Sequence, residues 1–264
     1  MASLGRLLSC FDADLREGLD RHGLRKRYVY YFSGAVGSGK SSSHVTALGT
    51  SGSTTRMCRL PSARGGGYND SMRIFLAGAS GVIGKRLIPR LVQAGHVVGG
   101  LTRSSSKTEL LSHLGAEPIL CDVFDRKALI RAVRDFKPDV ILNELTDLPD
   151  DVTQISEHTG LNARIRTEGN QNLIEAARRS GSPKILAQSV AWRLPDGPDA
   201  LAVAQLERSV LAEGGVVLRY GQFYGPGTYN EQQPPVEPRV HIDRAADRTA
   251  EVLGEPTGVV IIID

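Results

Sequence analysis

Three glycines spaced three apart, Gly78, Gly81 and Gly84, follow directly on an apolar run in the segment M-R-I-F-L-A-G-A-S-G-V-I-G from Met72. Residues without side chains at this spacing let a backbone turn sharply and lay its amide hydrogens against an anion. Gly78 allows the tight turn, Gly81 lets phosphates approach, and Gly84 lets the following helix pack close to the sheet. Ser80, Val82 and Ile83 complete the loop. The helix opening near Val82 aims its free N–H groups and positive dipole end at the same anion. The chemistry this arrangement serves is the binding of a dinucleotide diphosphate.

A second phosphate motif lies upstream. Gly34–Ser41 reads G-A-V-G-S-G-K-S, a full match to G-x-x-x-x-G-K-[ST], preceded by the strand-like run Tyr28–Phe32. In a working site Lys40 would reach terminal phosphates and Ser41 would ligate magnesium. The residues that follow offer a poor helix and no apolar strand ending in an aspartate to hold the metal. The segment is therefore expected to be an isolated, phosphate-loop-like element. Cys10, Cys58 and Cys121 are widely separated and form no C-x-x-C pair. That pattern suggests a reducing compartment and no metal site.

The elements that must position these residues divide the chain near residue 71. Residues 1–71 are expected to be an N-terminal extension, largely disordered, because the Ser/Thr/Gly-rich tract from Ser41 to Tyr68 can bury little apolar surface. From residue 72 the texture alternates between strand and helix. Strands are expected at Arg73–Ala77, Val97–Thr102, Glu117–Leu120, Asp139–Leu142, Lys184–Gln188, Val216–Tyr220 and Val259–Ile263. Helices are expected at Val82–Ala94, Lys107–His113, Arg126–Asp135, Leu161–Ser180, Ala200–Glu213 and Arg244–Leu253. Ser106 with Glu109 reads as a capping box, Asp125 and Asp199 as N-caps, and Gly95, Gly115 and Gly181 as residues past helix ends. Strands separated by helices imply parallel pairing and a doubly wound α/β sheet.

Taken together, G-A-S-G-V-I-G at Gly78–Gly84, Asp122-Val123, the N-A-R-I-R-T-E-G-x-x-N-L-I-E-A-A-R run from Asn162, L-R-Y-G-x-F-Y-G-P-G from Leu218 and V-H-I-D from Val240 resemble the extended short-chain dehydrogenase/reductase family. More narrowly, they resemble its NAD-dependent epimerase/dehydratase group. The resemblance runs from Met72 to Asp264 and implies a Rossmann-type fold for an NAD(P)-binding domain over 72–264. It also implies a cofactor along the C-terminal edge of the sheet, with Asp122 and Val123 at the adenine and Leu145 and Thr146 where the backbone passes the cofactor. An acid about 20 residues beyond the glycines selects NAD, whereas an arginine accommodates a 2′-phosphate. Here the second strand ends in Thr102-Arg103-Ser104, so NADP is expected, with NAD as second choice.

The family's catalysis uses a Ser or Thr after the fifth strand and a Tyr four residues before a Lys, the lysine lowering the phenol's pKa. Ser189 stands in the first of these places. Counting back from Glu207 puts the Tyr position near Asp199 and the Lys position near Val203, so the pair is missing. Tyr220, Tyr224, His241 and Trp192 are the other candidates near the nicotinamide end, with packing or a structural hydrogen bond as the alternative role of each. Only Gly227–Arg239 separate the Y-G-P-G turn from V-H-I-D, which implies a truncated C-terminal substrate lobe.

The expected function is an atypical oxidoreductase or epimerase acting on a nucleotide-sugar or small carbonyl. The alternatives are a non-catalytic NADP-binding module or redox sensor, or a truncated fusion product. A small-molecule substrate is expected. Nucleic acid and membrane partners are not expected: the net charge of +3 is too small to argue for either, and no apolar run approaches the ~20 residues that span a bilayer. Relatives pair through their long helices, so a homodimer is one expected assembly, and the cytoplasm is the expected location.

Overall fold

The computed structural model describes residues 71–149 and 155–264, with 155–159 described by backbone alone. The expected extension over 1–71, its phosphate-loop-like segment 34–41 included, lies outside the described residues except for Ser71.

Nine strands are present among the described residues: β1 (Arg73–Ala77), β2 (Val97–Thr102), β3 (Glu117–Leu120), β4 (Val140–Asn143), β5 (Lys184–Val190), β6 (Val216–Tyr220), β7 (Gln222–Tyr224), β8 (Arg239–His241) and β9 (Gly258–Ile262). Seven form one parallel sheet in the order β3-β2-β1-β4-β5-β6-β9, and β7 pairs with β8 in a small second sheet. The order reverses between β1 and β4, and an open sheet binds its ligands in the crevice at such a point. This is the doubly wound Rossmann-type architecture read from the sequence.

The helices are α1 (Gly84–Gln93), α2 (Thr108–His113), α3 (Arg126–Phe136), α4 (Ile155–Arg164), α5 (Asn170–Arg178), α6 (Pro198–Ala212) and α7 (Ile242–Glu251). They cover both faces of the sheet, so its central strands are apolar throughout. Ile74 and Leu76 of β1 point into a core shared with α1 and α7, while Phe75 and Ala77 point into a core shared with α3, α5 and α6. Side chains alternate across a strand, so one apolar run feeds both layers. Salt bridges from Arg86 to Asp243 (3.1 Å) and from Arg90 to Asp247 (2.5 Å) tie α1 to α7.

The local signals were of unequal value. Asp125 caps α3 as expected, its Oδ1 accepting from the Ala128 N–H at 2.9 Å. Asp125→Ala should cost about 1 kcal/mol, read as a lower urea midpoint at unchanged slope. The Ser106–Glu109 capping box does not form. A 3-10 turn at Ser105–Lys107 runs straight into α2, so the Lys107 and Thr108 amides are already bonded to Ser104 and Ser105 carbonyls, and the Ser106 hydroxyl pairs with that of Ser104. Nor does Asp199 cap α6. Gly197 takes that place, Pro198 follows at the first helical position, and Asp199 sits in the first turn.

The long helix expected over Leu161–Ser180 is interrupted. A π-turn at Ile165–Gly169 separates α4 from α5 and turns Ile165, Arg166 and Gly169 inward. A π-turn inserts one residue without breaking the helix, and such turns concentrate at functional sites.

Candidate active site

The site begins at the turn after β1. Gly78 has φ +87°, and a Cβ there would lie 2.6 Å from the Glu144 carbonyl oxygen, so only glycine fits between this turn and the end of β4. At Gly84 a Cβ would meet the Gly78 carbonyl at 2.3 Å. At Gly81 the one atom within contact range would be the Gly78 oxygen at 3.2 Å, so the remaining side of the turn is open. The cradle is therefore closed toward the protein and open toward a ligand, as a diphosphate requires.

That open side faces a cleft of about 810 Å³ over the C-terminal strand ends. Gly78, Ser80, Gly81, Val82 and Ile83 line it from the first turn, and Thr102 and Arg103 from the end of β2. Asp122 and Val123 reach it after β3, Leu145 and Thr146 after β4, and Ser189 from β5. Gly84 stands behind the turn and does not line the cleft. Every other residue expected at the cofactor is brought to this one place. Asp122 also closes a local turn, its Oδ1 accepting from the Phe124 N–H at 2.9 Å.

Arg103 lies on the rim with its side chain 63% exposed, paired to Asp147 at 3.4 Å. Asp147 arrives from the loop after β4 and brings a carboxylate to a place where the second strand itself carries none. The guanidinium is thus largely exposed, whereas the Asp147 carboxylate is 19% exposed. The end of β4 is fixed by a ladder of buried amides. Asn143 Nδ2 donates to Asn170 Oδ1 at 3.0 Å, and Asn170 Nδ2 donates to Ser209 Oγ at 2.9 Å.

The other end of the cleft holds Ser189, Trp192, Asp199, Val203 and Tyr220. Ser189 is buried and its Oγ–H donates to Glu207 Oε1 at 2.5 Å, while Arg219 clamps the same carboxylate at 2.9 and 2.6 Å. The serine proton is thereby committed to Glu207, which leaves Ser189 as an acceptor toward anything in the cleft. The short segment after the Y-G-P-G turn folds back over the opening. Gly227, Thr228, Tyr229 and Asn230 line it, and the Tyr229 hydroxyl donates to the Pro149 carbonyl. Tyr224 does not line the cleft, its hydroxyl donating to Asp264 Oδ2 at 2.7 Å. His241 is structural and caps α7, its Nδ1 accepting from the Asp243 N–H.

Two residues that sequence reasoning missed complete the site. Glu144 is 4% exposed, lines the cleft, and is hydrogen-bonded through Oε1 to the Tyr220 hydroxyl at 2.9 Å. Burial pushes its carboxyl up to about 8, against the opposing pull of the Tyr220 hydroxyl and the Arg166 cation. Arg166, delivered by the π-turn, is buried and lines the same cleft. Burial disfavours its charge, while Asp199, Glu207 and Glu144 support it. Glu144 Oε2, Arg166 Nη1 and Asp199 Oδ1 are all buried without a hydrogen-bond partner among the described residues. Buried polar atoms are nearly always satisfied, so three orphans in residues lining one cleft mark a place that receives a polar ligand. The N-E-L-T-D segment, with an acid directly after an apolar strand, was the one sequence signal for Glu144.

The seven-stranded sheet and its glycine turn define an α/β protein of the Rossmann type. Residues 74–196 match the sequence model of the NAD dependent epimerase/dehydratase family. Among relatives, a 3-diazoavenalumate denitrifying reductase from a Streptomyces species is 38% identical over 60% of this chain and 58% of its own length. A UDP-glucose 4-epimerase from Mycolicibacterium smegmatis is 29% identical over 51% of this chain and 44% of its own. The chain thus spans less than two-thirds of either relative. Among solved structures, the Thermus thermophilus UDP-glucose 4-epimerase in complex with NAD superposes with a TM-score of 0.60 at 20% identity, covering 73% of this chain and 78% of that one. The fold is shared with that structure. No helix among the described residues is long and apolar enough to cross a membrane.

Proposed function

We propose that residues 72–264 form an NADP-binding domain, with NAD as the weaker ligand, and that the protein is an atypical reductase acting on a small carbonyl or similarly reducible substrate. The observation that carries this reading is the convergence of the Gly78–Gly81 cradle, Arg103, Asp122 and Thr146 on one cleft whose far end holds buried polar groups. Of the two relatives compared above, the one at 38% identity is named a reductase, which favours reduction over epimerisation of a nucleotide-sugar. The cradle would hold the diphosphate, Asp122 and Val123 the adenine, and Arg103 the 2′-phosphate. Bound there, the nicotinamide supplies a hydride.

What the chain's own residues do differs from the usual pattern. Asp199 and Val203 stand where the resemblance places Tyr and Lys, so those two positions supply no lysine-assisted phenol to exchange a proton. Ser189 can orient a substrate hydrogen toward its oxygen but has no proton left to give. A cytoplasmic homodimer belongs to the same reading.

Trp192, the only tryptophan of the chain, lines the cleft and provides the assay. Its fluorescence should fall on titration with NADPH at lower concentration than with NADH. Arg103→Ala should narrow that gap about tenfold, as loss of a charge-assisted contact implies. An unchanged gap would remove the basis for NADP. NADPH oxidation is then followed across a carbonyl panel, and binding without turnover would establish the non-catalytic alternative. Failure to bind either nucleotide defeats the reading altogether.

A further inference from the structure

Glu144 connects two parts of the cleft. Its backbone forms the rear wall of the Gly78 turn, and its side chain reaches across β5 to Tyr220 at the end of β6. A dinucleotide seated on the glycine turn, with its adenine toward Asp122, extends its other half over the ends of β4, β5 and β6. Glu144 therefore lies beneath the diphosphate-to-nicotinamide portion.

The proton count at Glu144 decides what it can offer. Three hydrogen bonds run in a line: Glu144 Oε1 to the Tyr220 hydroxyl (2.9 Å), Tyr220 to Thr249 Oγ1 (2.6 Å), and Thr249 to the Ala245 carbonyl (2.7 Å). Two hydroxyls hold two protons, and a carbonyl holds none. All three links are made only when the Glu144 carboxyl is neutral and its proton lies between Oε1 and Tyr220. The second oxygen, Oε2, is then a carbonyl acceptor. Were the carboxyl ionised, Oε2 would be an acceptor still. In either state it is buried with no donor among the described residues. A diphosphate carries acceptors alone and cannot satisfy it. The nicotinamide half carries donors, namely the carboxamide amine and the ribose hydroxyls.

We propose that Glu144 Oε2 accepts a hydrogen bond from a donor on the nicotinamide half of the bound dinucleotide, making Glu144 a recognition residue for that half. This rests on the dinucleotide reading of the cleft.

Calorimetry or Trp192 fluorescence with NADP⁺ and with 2′,5′-ADP, which lacks the nicotinamide half, tests the proposal. Glu144→Leu removes the acceptor and should weaken NADP⁺ about tenfold while leaving 2′,5′-ADP unchanged. Glu144→Gln can donate from Nε2 to Tyr220 and present its oxygen to the cleft, so it should bind NADP⁺ as the natural protein does. If Glu144→Leu does not fold, Glu144→Met carries the same expectation. The acetylpyridine analogue of NADP⁺, in which the carboxamide amine is replaced by a methyl group, identifies the donor. Selective weakening of the analogue in the natural protein points to the amine, and equal binding points to a ribose hydroxyl. Equal loss of both ligands in the apolar variant, or loss of neither, overturns the proposal. A natural protein that binds neither NADP⁺ nor 2′,5′-ADP instead refutes the dinucleotide reading beneath it.

Discussion

Alanine at position 84 is expected to destabilise the protein and alanine at position 81 to spare it, although both substitutions add one methyl group to the same turn. At Gly84 the new carbon would stand 2.3 Å from the Gly78 carbonyl oxygen and 2.7 Å from that of Ala79. Both are main-chain atoms, so either the turn reshapes or α1 lifts from the sheet. Overpacking of this kind costs about 1–3 kcal/mol, and more where the backbone cannot yield. The melting temperature should fall by roughly 2–4 °C per kcal/mol for a domain of this size, and dinucleotide affinity should fall with it. At Gly81 the only nearby atom among the described residues is the Gly78 oxygen at 3.2 Å, and Gly81 lines the cleft. Gly81→Ala should therefore melt within about 1–2 °C of the natural protein and bind NADPH at least about tenfold more weakly. Thermal melts paired with fluorescence titration separate the two. Full NADPH affinity in Gly81→Ala would mean that the turn does not approach the phosphates.

That turn was legible because its signal is local. An apolar strand, glycines at fixed spacing and an amphipathic helix lie within twenty residues of each other, and β1, β2, β3 and β6 fall where the pattern put them. The caps were less legible, since Ser106 and Asp199 carry the right side chains but lost their positions to a 3-10 turn and to the Gly197-Pro198 pair. The π-turn was invisible for a different reason. The apolar periodicity of Leu161–Ser180 is that of a continuous helix, and an inserted residue inside it shifts which side chain faces inward without altering composition. Arg166 consequently reads as a solvated arginine, yet it is buried in the cleft. Glu144 was hidden by distance. An acid after a strand reads as a loop residue, and what buries it, Tyr220, is 76 positions away in sequence. The far end of the site is thus made by long-range neighbours, whereas the cradle is made by one segment.

The same buried carboxyl should govern how stability depends on pH. Glu144 titrates near 4.5 when unfolded and near 8 in the fold, with burial as the first cause of the rise. Below the unfolded value the group is protonated in both states and is indifferent to folding. Between the two values the folded state holds a proton that the unfolded state has released, so stability declines as pH rises. Above the folded value the penalty is complete, on the order of 5 kcal/mol for a shift of this size. Glutamine cannot ionise, and its amide can occupy the same hydrogen-bonded place beside Tyr220. Glu144→Gln and the natural protein should therefore unfold at similar urea concentrations near pH 4.5. The variant should become progressively the more stable of the two up to about pH 8, after which the gap stays constant. Urea midpoints measured without nucleotide across that range check the expectation. A gap that is flat with pH would show that Glu144 is ionised throughout, supported by a donor or cation stronger than Tyr220 and Arg166 provide. A gap that goes on widening above pH 8 would place the folded carboxyl higher still, and the neutral acid would then persist through the whole working range of the cleft.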